Sequence, residues 1–287
     1  MQLHRLWIEE QRAGDSEGLG ARLLPAPISE SQAGTSPAPT VMFERFRQRS
    51  HELENLDKGS YTPEEYEGCL VELRRINEWL GDTRALRETL FAEIERADLK
   101  SFSILDVGAG SGELLRFTAT WARETNRTAT FVGLELNHRS ATAILQESRD
   151  FPEISSVEAN GLRLPFADRC FDFVIQSLTL HHFDDEGAAK LLREMGRVAA
   201  RGIFVIDLQR DPIAYFFYTT IGRLFLHNRL IREDGALSIL KSFTPEEMEE
   251  LAQQAGLSNA KVEKHFPARL VLSTRVTPSP NGTGKNR

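Results

Sequence analysis

Residues 104–112 of this chain read Ile104-Leu105-Asp106-Val107-Gly108-Ala109-Gly110-Ser111-Gly112. An apolar run leads there into a turn with glycine at every second position, and a helix-like stretch follows. Glycine reaches backbone angles that other residues avoid, and it lets a ligand approach the backbone without meeting a Cβ atom. A helix that begins after such a turn offers unpaired N–H groups and a partial positive charge. We therefore expect a strand–turn–helix unit that holds an anionic group.

The acid in this stretch narrows the choice of ligand. A nicotinamide-dinucleotide site favours the pattern GxGxxG, and its pyrophosphate would be poorly placed beside a carboxylate. The glycines here alternate, Glu113 follows the last of them, and Asp106 lies two residues before the first. A zwitterionic amino-acid group suits both the acid and the helix end. An NAD-dependent oxidoreductase is therefore a disfavoured alternative.

Strand-like and helix-like runs alternate after this turn. Further strand candidates lie at 130–135, 171–176 and 203–208. Such alternation predicts an α/β fold with a doubly wound, mostly parallel sheet and helices on both faces. Two last candidates, 260–265 and 268–275, are separated by a break too short for a crossover helix, so they are expected to pair antiparallel.

Two capping boxes mark helix starts. Thr62-Pro63-Glu64-Glu65 precedes apolar residues at helical spacing up to Gly81, and Thr244-Pro245-Glu246-Glu247 opens a helix that ends at Gly256. A further amphipathic helix is predicted over 83–97. Outside these patterns both ends of the chain lack periodicity, and one hypothesis is that translation starts at Met42. We divide the chain into a flexible tail (1–41), a helical cap (42–100), the sheet domain (101–276) with an insertion at 211–243, and a second flexible tail (277–287).

Composition and charge disfavour several classes of protein. Of 287 residues 40% are hydrophobic, and 35 Lys+Arg against 42 Asp+Glu leave a net charge of −7. The apolar content suffices for a large core, and the acidic balance disfavours a nucleic-acid binder. The apolar runs are far shorter than the ~20 residues that cross a bilayer, and no secretory signal is expected. Cys69 and Cys170 are expected to be reduced thiols that serve in packing.

From Phe102 to Arg275 the chain resembles the class I S-adenosylmethionine-dependent methyltransferases. The glycine turn matches the DxGxGxG motif of that family. The resemblance implies S-adenosylmethionine as cofactor and a Rossmann-like sheet of seven strands with an antiparallel last strand. It also implies that the methionine end of the cofactor is held by Asp106, Gly108, Gly110 and Gly112.

The same resemblance assigns the rest of the cofactor site. Glu135 closes the second strand 23 residues after Gly112, where the family has the acid that binds the ribose hydroxyls, and a carboxylate suits a vicinal diol. Residues 159–166 are similar to the family segment G-D-A-x-x-L-P-F, which implies that Asn160 and Gly161 contact the adenine. Asn160 replaces the usual Asp there, and taken alone it is as well explained as a turn residue.

Residues 171–183 resemble the family block FDxV followed by LHH. Gln176 falls at the carboxyl end of this strand, the edge where open α/β sheets bind ligands, and we assign it to the cofactor site. Histidine titrates near neutrality, so either His181 or His182 could take a proton from an acceptor. We select His182 as the catalytic candidate, with helix capping or packing as the alternative for each.

The insertion at 211–243 is rich in aromatic residues. It can be a helix packed on the core or a lid over an apolar substrate. The leader at 43–81 looks like that of bacterial methyltransferases that modify polyketide or quinone-like molecules. No metal site is expected, and Asp184, Asp185 and Asp207 are taken as surface residues.

Methyl transfer to an oxygen or activated carbon of a small, lipophilic or aromatic acceptor is the favoured function. Two alternatives remain. The Asn160 departure favours a cofactor-binding regulator or scaffold without turnover. A protein or RNA methyltransferase is disfavoured by the acidic charge and by the lack of an (Asp/Asn)-Pro-Pro-aromatic element. We expect a cytoplasmic enzyme of secondary metabolism with no nucleic-acid partner and no transmembrane segment.

Overall fold

One sheet organises the chain. The computed structural model describes residues 45–59, 61–62, 64–65, 68–69 and 81–275, and the predicted tails 1–41 and 277–287 lie outside this part. The strands are β1 (Ser101–Val107), β2 (Thr128–Glu135), β3 (Ile154–Glu158), β4 (Phe171–Ser177), β5 (Ala199–Leu208), β6 (Lys261–His265) and β7 (Arg269–Arg275). They lie in the order β3-β2-β1-β4-β5-β7-β6.

Strands β1 to β5 pair in parallel, and β7 is antiparallel to both β5 and β6. The prediction of a doubly wound, seven-stranded sheet with an antiparallel last strand is thereby confirmed. The chain winds outward from β1 through β2 to β3, then crosses to β4 and winds the other way. The carboxyl ends of β1 and β4 border this reversal, where open α/β sheets form their ligand crevice.

The α-helices of the described residues cover both faces of the sheet. They are α1 (Asn55–Lys58), α2 (Asp82–Leu86), α3 (Ala92–Arg96), α4 (Glu113–Glu124), α5 (His138–Glu147), α6 (Asp185–Val198), α7 (Pro212–Thr220), α8 (Gly222–Phe225), α9 (Arg229–Lys241) and α10 (Pro245–Gln254). Apolar residues of α6 and α10 bury against one face, and those of α2 to α5 bury against the other. The helices on each face of the sheet therefore pack in a separate hydrophobic core.

The predicted helix at 83–97 exists, but it contains a π-helical turn. Residues Arg87–Phe91 form this turn between α2 and α3. Phe91 stacks on Trp121 of α4 with ring centroids 3.9 Å apart. An amphipathic pattern with regular spacing does not signal a π turn, because the apolar residues stay on one side of the helix.

Both predicted capping boxes are present. Thr244 and Glu247 exchange side-chain and backbone hydrogen bonds of 2.9 and 3.3 Å, and the helix α10 begins there. Thr62 and Glu65 do the same at 3.0 and 3.2 Å. Most of the helix predicted after Thr62 lies outside the described residues.

The insertion at 211–243 is helical, and part of it packs as predicted, while its role as a lid stays a prediction. Leu230 and Ile231 of α9 are buried in a small cluster with Cys69, whereas α7 has no buried residue. Packing is therefore confirmed for Cys69 and was wrong for Cys170, which is exposed. Within the described part of the chain, every helix is too short or too polar to cross a bilayer.

Candidate active site

The glycine turn lies between β1 and α4. Gly108, Gly110 and Gly112 all have positive φ angles, of 77°, 59° and 80°. A Cβ atom on Gly108 would lie 2.8 Å from Thr179 Oγ1, so this glycine permits close contact with the loop after β4. A Cβ on Gly110 would meet no atom of the described residues within 4 Å. The turn therefore has one glycine for packing and one that faces open space.

Two carboxyl groups flank the turn. Asp106 is 2% exposed, and its Oδ1 atom has no hydrogen-bond partner among the described residues. Burial, aided by the nearby charge of Glu135, raises the pKa of Asp106 to about 8. Burial also raises the pKa of Glu135 to about 7, although it accepts a hydrogen bond from the Gly110 N–H. Both acids thus lack the positive charge that would favour their ionised forms.

The loop after β3 lies against the same edge. A Cβ on Gly161 would come within 3.1 Å of Val107, the last residue of β1. The Asn160 side-chain oxygen accepts from the Leu162 N–H at 2.8 Å. Asn160 therefore shapes its own turn, as an Asp would in this position, and the next residue, Gly161, packs against the end of β1.

Gln176 lies under the loop that follows β4. It is 1% exposed. With the oxygen of its amide turned toward the loop, Gln176 accepts from the N–H groups of Thr179 and Leu180 at 2.8 Å, and this orientation satisfies both amide atoms. Leu178, just before Thr179, has a φ of 51°, which is rare for a residue other than glycine. In this orientation Gln176 stabilises the strained loop.

His181 and Asp207 form a buried pair. The His181 Nδ1 atom lies 2.6 Å from Asp207 Oδ1, and its backbone N–H donates to the other carboxylate oxygen at 3.0 Å. The prediction that Asp207 is a surface residue was wrong, because it ends a core strand and is 0% exposed. Asp184 caps helix α6, and Asp185 pairs with Arg49 at 2.6 Å.

His182 belongs to a polar cluster built from distant parts of the chain. Its Nδ1 atom lies 3.5 Å from Lys241 Nζ and 3.9 Å from Glu54 Oε1. Lys241 also donates to Glu54 at 3.3 Å, and both side chains are nearly buried. Glu54, His181 and His182 have metal-ligating atoms within 4.8 Å of one another. The ammonium group of Lys241 already supplies positive charge beside two of these groups, which disfavours a divalent ion there.

Arg49 connects this cluster to its surroundings, and sequence patterns gave no sign of it. It donates to the carbonyl oxygens of His181, Phe183 and Lys241 at 3.2, 2.8 and 2.7 Å. Its guanidinium also lies 3.6 Å from the centre of the Phe243 ring. Arg49 lies outside every periodic segment, so nothing local marks it. Asp207 could have been found, because it interrupts an apolar strand in the same way as Asp106.

A groove of about 380 Å³ lies between residues 45–58 and helix α9. Charged side chains from both walls line it, among them Arg45, Lys58, Glu233 and Asp234. It shares no residue with the glycine turn, so it is separate from the edge that carries Asp106.

The comparisons with known proteins agree with this geometry. A profile described as a methyltransferase domain matches residues 105–206, from β1 to β5. A demethylmenaquinone methyltransferase of Roseiflexus sp. is 30% identical over 168 residues, which cover 54% of this chain and 67% of that protein. This chain belongs to the class I S-adenosylmethionine-dependent methyltransferases. The methyltransferase therefore uses S-adenosylmethionine as its cofactor.

A second relative and one solved structure are also similar to this chain, the structure in fold alone. A demethylmenaquinone methyltransferase of Bacillus licheniformis is 26% identical over 176 residues, covering 56% of this methyltransferase and 73% of that protein. The solved structure of a SAM dependent methyltransferase from Aquifex aeolicus has the same fold, with a TM-score of 0.50 and 14% identity. That likeness covers 71% of this chain and 98% of the other.

The turn of this methyltransferase fits its cofactor. An ammonium group beside Asp106 would pair with the unpartnered Oδ1 atom and favour the ionised carboxylate. The open space at Gly110 would fill on binding. The raised pKa of Asp106 fits a carboxyl group to which the ammonium group of the cofactor would bring the missing positive charge.

Proposed function

We propose that this methyltransferase methylates an oxygen or an activated ring carbon of a small, lipophilic aromatic acceptor, with quinols as the preferred class. The observation that carries the proposal is the placement of His182. Thr179, just before its turn, packs against Gly108 of the glycine turn, and Glu54 and Lys241 lie beside its Nδ1 atom. Both relatives described above are named for demethylmenaquinone, which supports a quinone-related acceptor.

We infer the following roles at the cofactor. Asp106 accepts from the amino group, and the turn formed by Gly108, Gly110 and Gly112 receives the carboxylate. Glu135 binds the ribose hydroxyls after releasing the Gly110 N–H. Asn160 and Gly161 border the adenine, and Gln176 supports the loop beside the sulfur.

The acceptor side is formed, in this proposal, by the helical cap (42–100) and the insertion (211–243). Helix α9 contributes Lys241, and the segment before α1 contributes Arg49 and Glu54. Arg49, Glu54 and Lys241 contact the turn that follows β4 at the carboxyl edge, whereas α2 and α3 of the cap pack on one face of the sheet. We infer that the first group of residues excludes water from the acceptor, which supports transfer through orientation and desolvation.

We assign His182 to the acceptor oxygen. Bound S-adenosylmethionine supplies an electrophilic methyl group on a sulfonium, so the chain has only to orient the acceptor and control one proton. Lysine can only donate a hydrogen bond, so Lys241 beside Nδ1 places the proton of the neutral His182 ring on Nε2. The acceptor hydroxyl gives its proton to water before the transfer, and the Nε2–H group of His182 donates to the resulting anionic oxygen and stabilises it. The bond from this oxygen or ring carbon to the methyl group forms as the carbon–sulfur bond breaks, and the electron pair of that bond stays on sulfur.

Two glycines test the cofactor site. Gly110→Ala and Gly256→Ala both place a methyl group at a positive φ with no described atom within 4 Å. We expect similar losses of stability of about 1–2 kcal/mol. Only Gly110→Ala should weaken S-adenosylmethionine binding, by at least about tenfold, measured by calorimetry. Equal affinity of the two variants would contradict the assignment.

Turnover is tested by release of S-adenosylhomocysteine with a panel of hydroquinones and phenols. We expect release with lipophilic hydroquinones, and a lower kcat in His182→Gln at an unchanged affinity for the cofactor. Cofactor binding without release across the whole panel would instead favour a regulator without turnover.

A further inference from the structure

Helices α7 and α8 turn their most apolar face toward solvent. The exposed positions recur every three or four residues between 213 and 225, which places them on one helical face. Six large apolar side chains on this face are between 47% and 74% exposed: Ile213, Phe216, Phe217, Ile221, Leu224 and Phe225. They are six of the eight large apolar residues that are exposed in the described part of the chain. A patch this concentrated indicates an interaction site.

The inward face of α7 is the more polar one. The Tyr215 ring packs edge-on against Phe46 with centroids 5.4 Å apart, and the Tyr218 hydroxyl donates to the Ile231 carbonyl oxygen. The tyrosines thus attach α7 to the protein while the phenylalanines face outward. This arrangement reverses the usual orientation of a surface helix, whose apolar side faces the core.

Charge around the patch is also unusual. Residues 212–232 contain no Asp or Glu, but they contain Arg223, His227, Arg229 and Arg232, in a chain of net charge −7. Arg229 pairs with Glu65 and Glu233. The segment therefore offers an apolar face without acidic residues, which suits an apolar surface that carries negative headgroups.

We propose that the outer face of α7 and α8 docks onto the surface of an anionic phospholipid bilayer. The helices would lie in the headgroup region with Phe216, Phe217 and Phe225 among the acyl chains. A homodimer through this face is less favoured, because a two-fold axis would bring the positively charged arginines of both copies close together, where they repel. Three residues separate the carboxyl end of β5 from the start of helix α7, so docking through α7 would bring this end of the sheet toward the membrane, where a lipophilic acceptor partitions. The inference goes beyond the proposed function, because lipid binding is measurable without cofactor or acceptor.

The test is flotation of the full chain with vesicles. One set contains phosphatidylcholine alone, and the other contains phosphatidylcholine mixed with phosphatidylglycerol. We expect at least about tenfold stronger partitioning to the anionic vesicles, weakened by salt. The double variant Phe216→Ser/Phe225→Ser should lower this partitioning by at least about tenfold. The matched control Leu145→Ser, at a 51% exposed apolar residue of α5, should partition like the unmodified chain.

Three results would overturn the proposal. The unmodified chain could fail to float with either vesicle, the double variant could float as well as the control, or light scattering could show a dimer that the double variant abolishes. If the double variant does not fold, Ile213→Ser on the same face replaces it. The rise in Tm on adding S-adenosylmethionine, measured by a thermal scan, distinguishes failure of lipid docking from failure of the proposed function. A chain that shows this rise but does not float with vesicles contradicts lipid docking alone.

Discussion

At the scale of single residues, the raised pKa of Asp106 leads to two predictions about pH. Its folded-state pKa of about 8 lies far above the ordinary value of 3.8. A raised carboxyl pKa favours folding only at low pH, and that contribution is lost as the pH rises through about 8. Asn in this position is neutral throughout. We therefore expect Asp106→Asn to be more stable than the unmodified chain at pH 8, with a difference in Tm that shrinks toward pH 5.

The same substitution should have the opposite effect on the cofactor. In the free chain Asp106 is mostly protonated at pH 6, whereas pairing with an ammonium group requires the carboxylate. The affinity for S-adenosylmethionine should therefore rise between pH 6 and 8, by up to about tenfold per pH unit. Asp106→Asn should lose most of the affinity and this slope. Thermal scans and calorimetry at three pH values measure both effects. Asp98→Asn, at an exposed acid paired with Lys100, is the matched control. Parallel pH profiles for Asp106→Asn and the unmodified chain would contradict the buried-charge explanation.

At the scale of elements, Arg49 joins the turn Leu180–His182 to the end of α9. Arg49→Met removes the donor from three carbonyl oxygens and from Asp185. We expect the free energy of unfolding to fall by about 2–4 kcal/mol, measured in urea. The kcat for S-adenosylhomocysteine release should fall as well, because the carbonyl of His181 precedes His182.

An exposed arginine provides the comparison. Arg84 pairs with Glu88 one helical turn further on, and the two side chains are 61% and 41% exposed. Arg84→Met should therefore change the free energy of unfolding by no more than about 0.5 kcal/mol. If both variants unfold at the same urea concentration, Arg49 does not connect the two elements as described.

At the scale of the whole molecule, a buried ion pair connects helix α2 to strand β7, which lies far from it in the chain. Asp82 at the start of α2 accepts from Arg269 at the start of β7, and the residues are 3% and 2% exposed. Burial raises the pKa of Asp82, and the charge of Arg269 opposes that rise. Removing Arg269 would leave a buried carboxyl group without its partner.

Arg269→Met should lower the free energy of unfolding by about 3–5 kcal/mol, and the double variant Asp82→Asn/Arg269→Met should recover part of this loss. Lys100→Met, which breaks the exposed pair with Asp98, should cost less than about 1 kcal/mol. Urea unfolding of the four proteins measures these differences. A loss in Arg269→Met no larger than in Lys100→Met would show that the pair does not hold the cap in place.

Features with local causes were predictable from sequence. The glycine turn follows from alternate glycines after an apolar strand, and the capping boxes follow from side chains three residues apart. The mostly parallel sheet follows from strand-like runs that alternate with helix-like runs. The family resemblance added the strand count and the roles proposed for Glu135 and Asn160. The π turn was missed because it leaves the apolar pattern of its helix unchanged.

What the sequence determined by itself is the sheet, the helices around it and the glycine turn, since each depends on neighbours a few residues apart, and the family resemblance of the same sequence added the cofactor. Only the tertiary structure decided which groups meet His182 and which face of α7 is exposed. Glu54 and Lys241 are 187 residues apart in the chain, and no local pattern joins them. Phenylalanines at helical spacing look the same in sequence whether their face is buried or open, because burial depends on what the rest of the fold places against them.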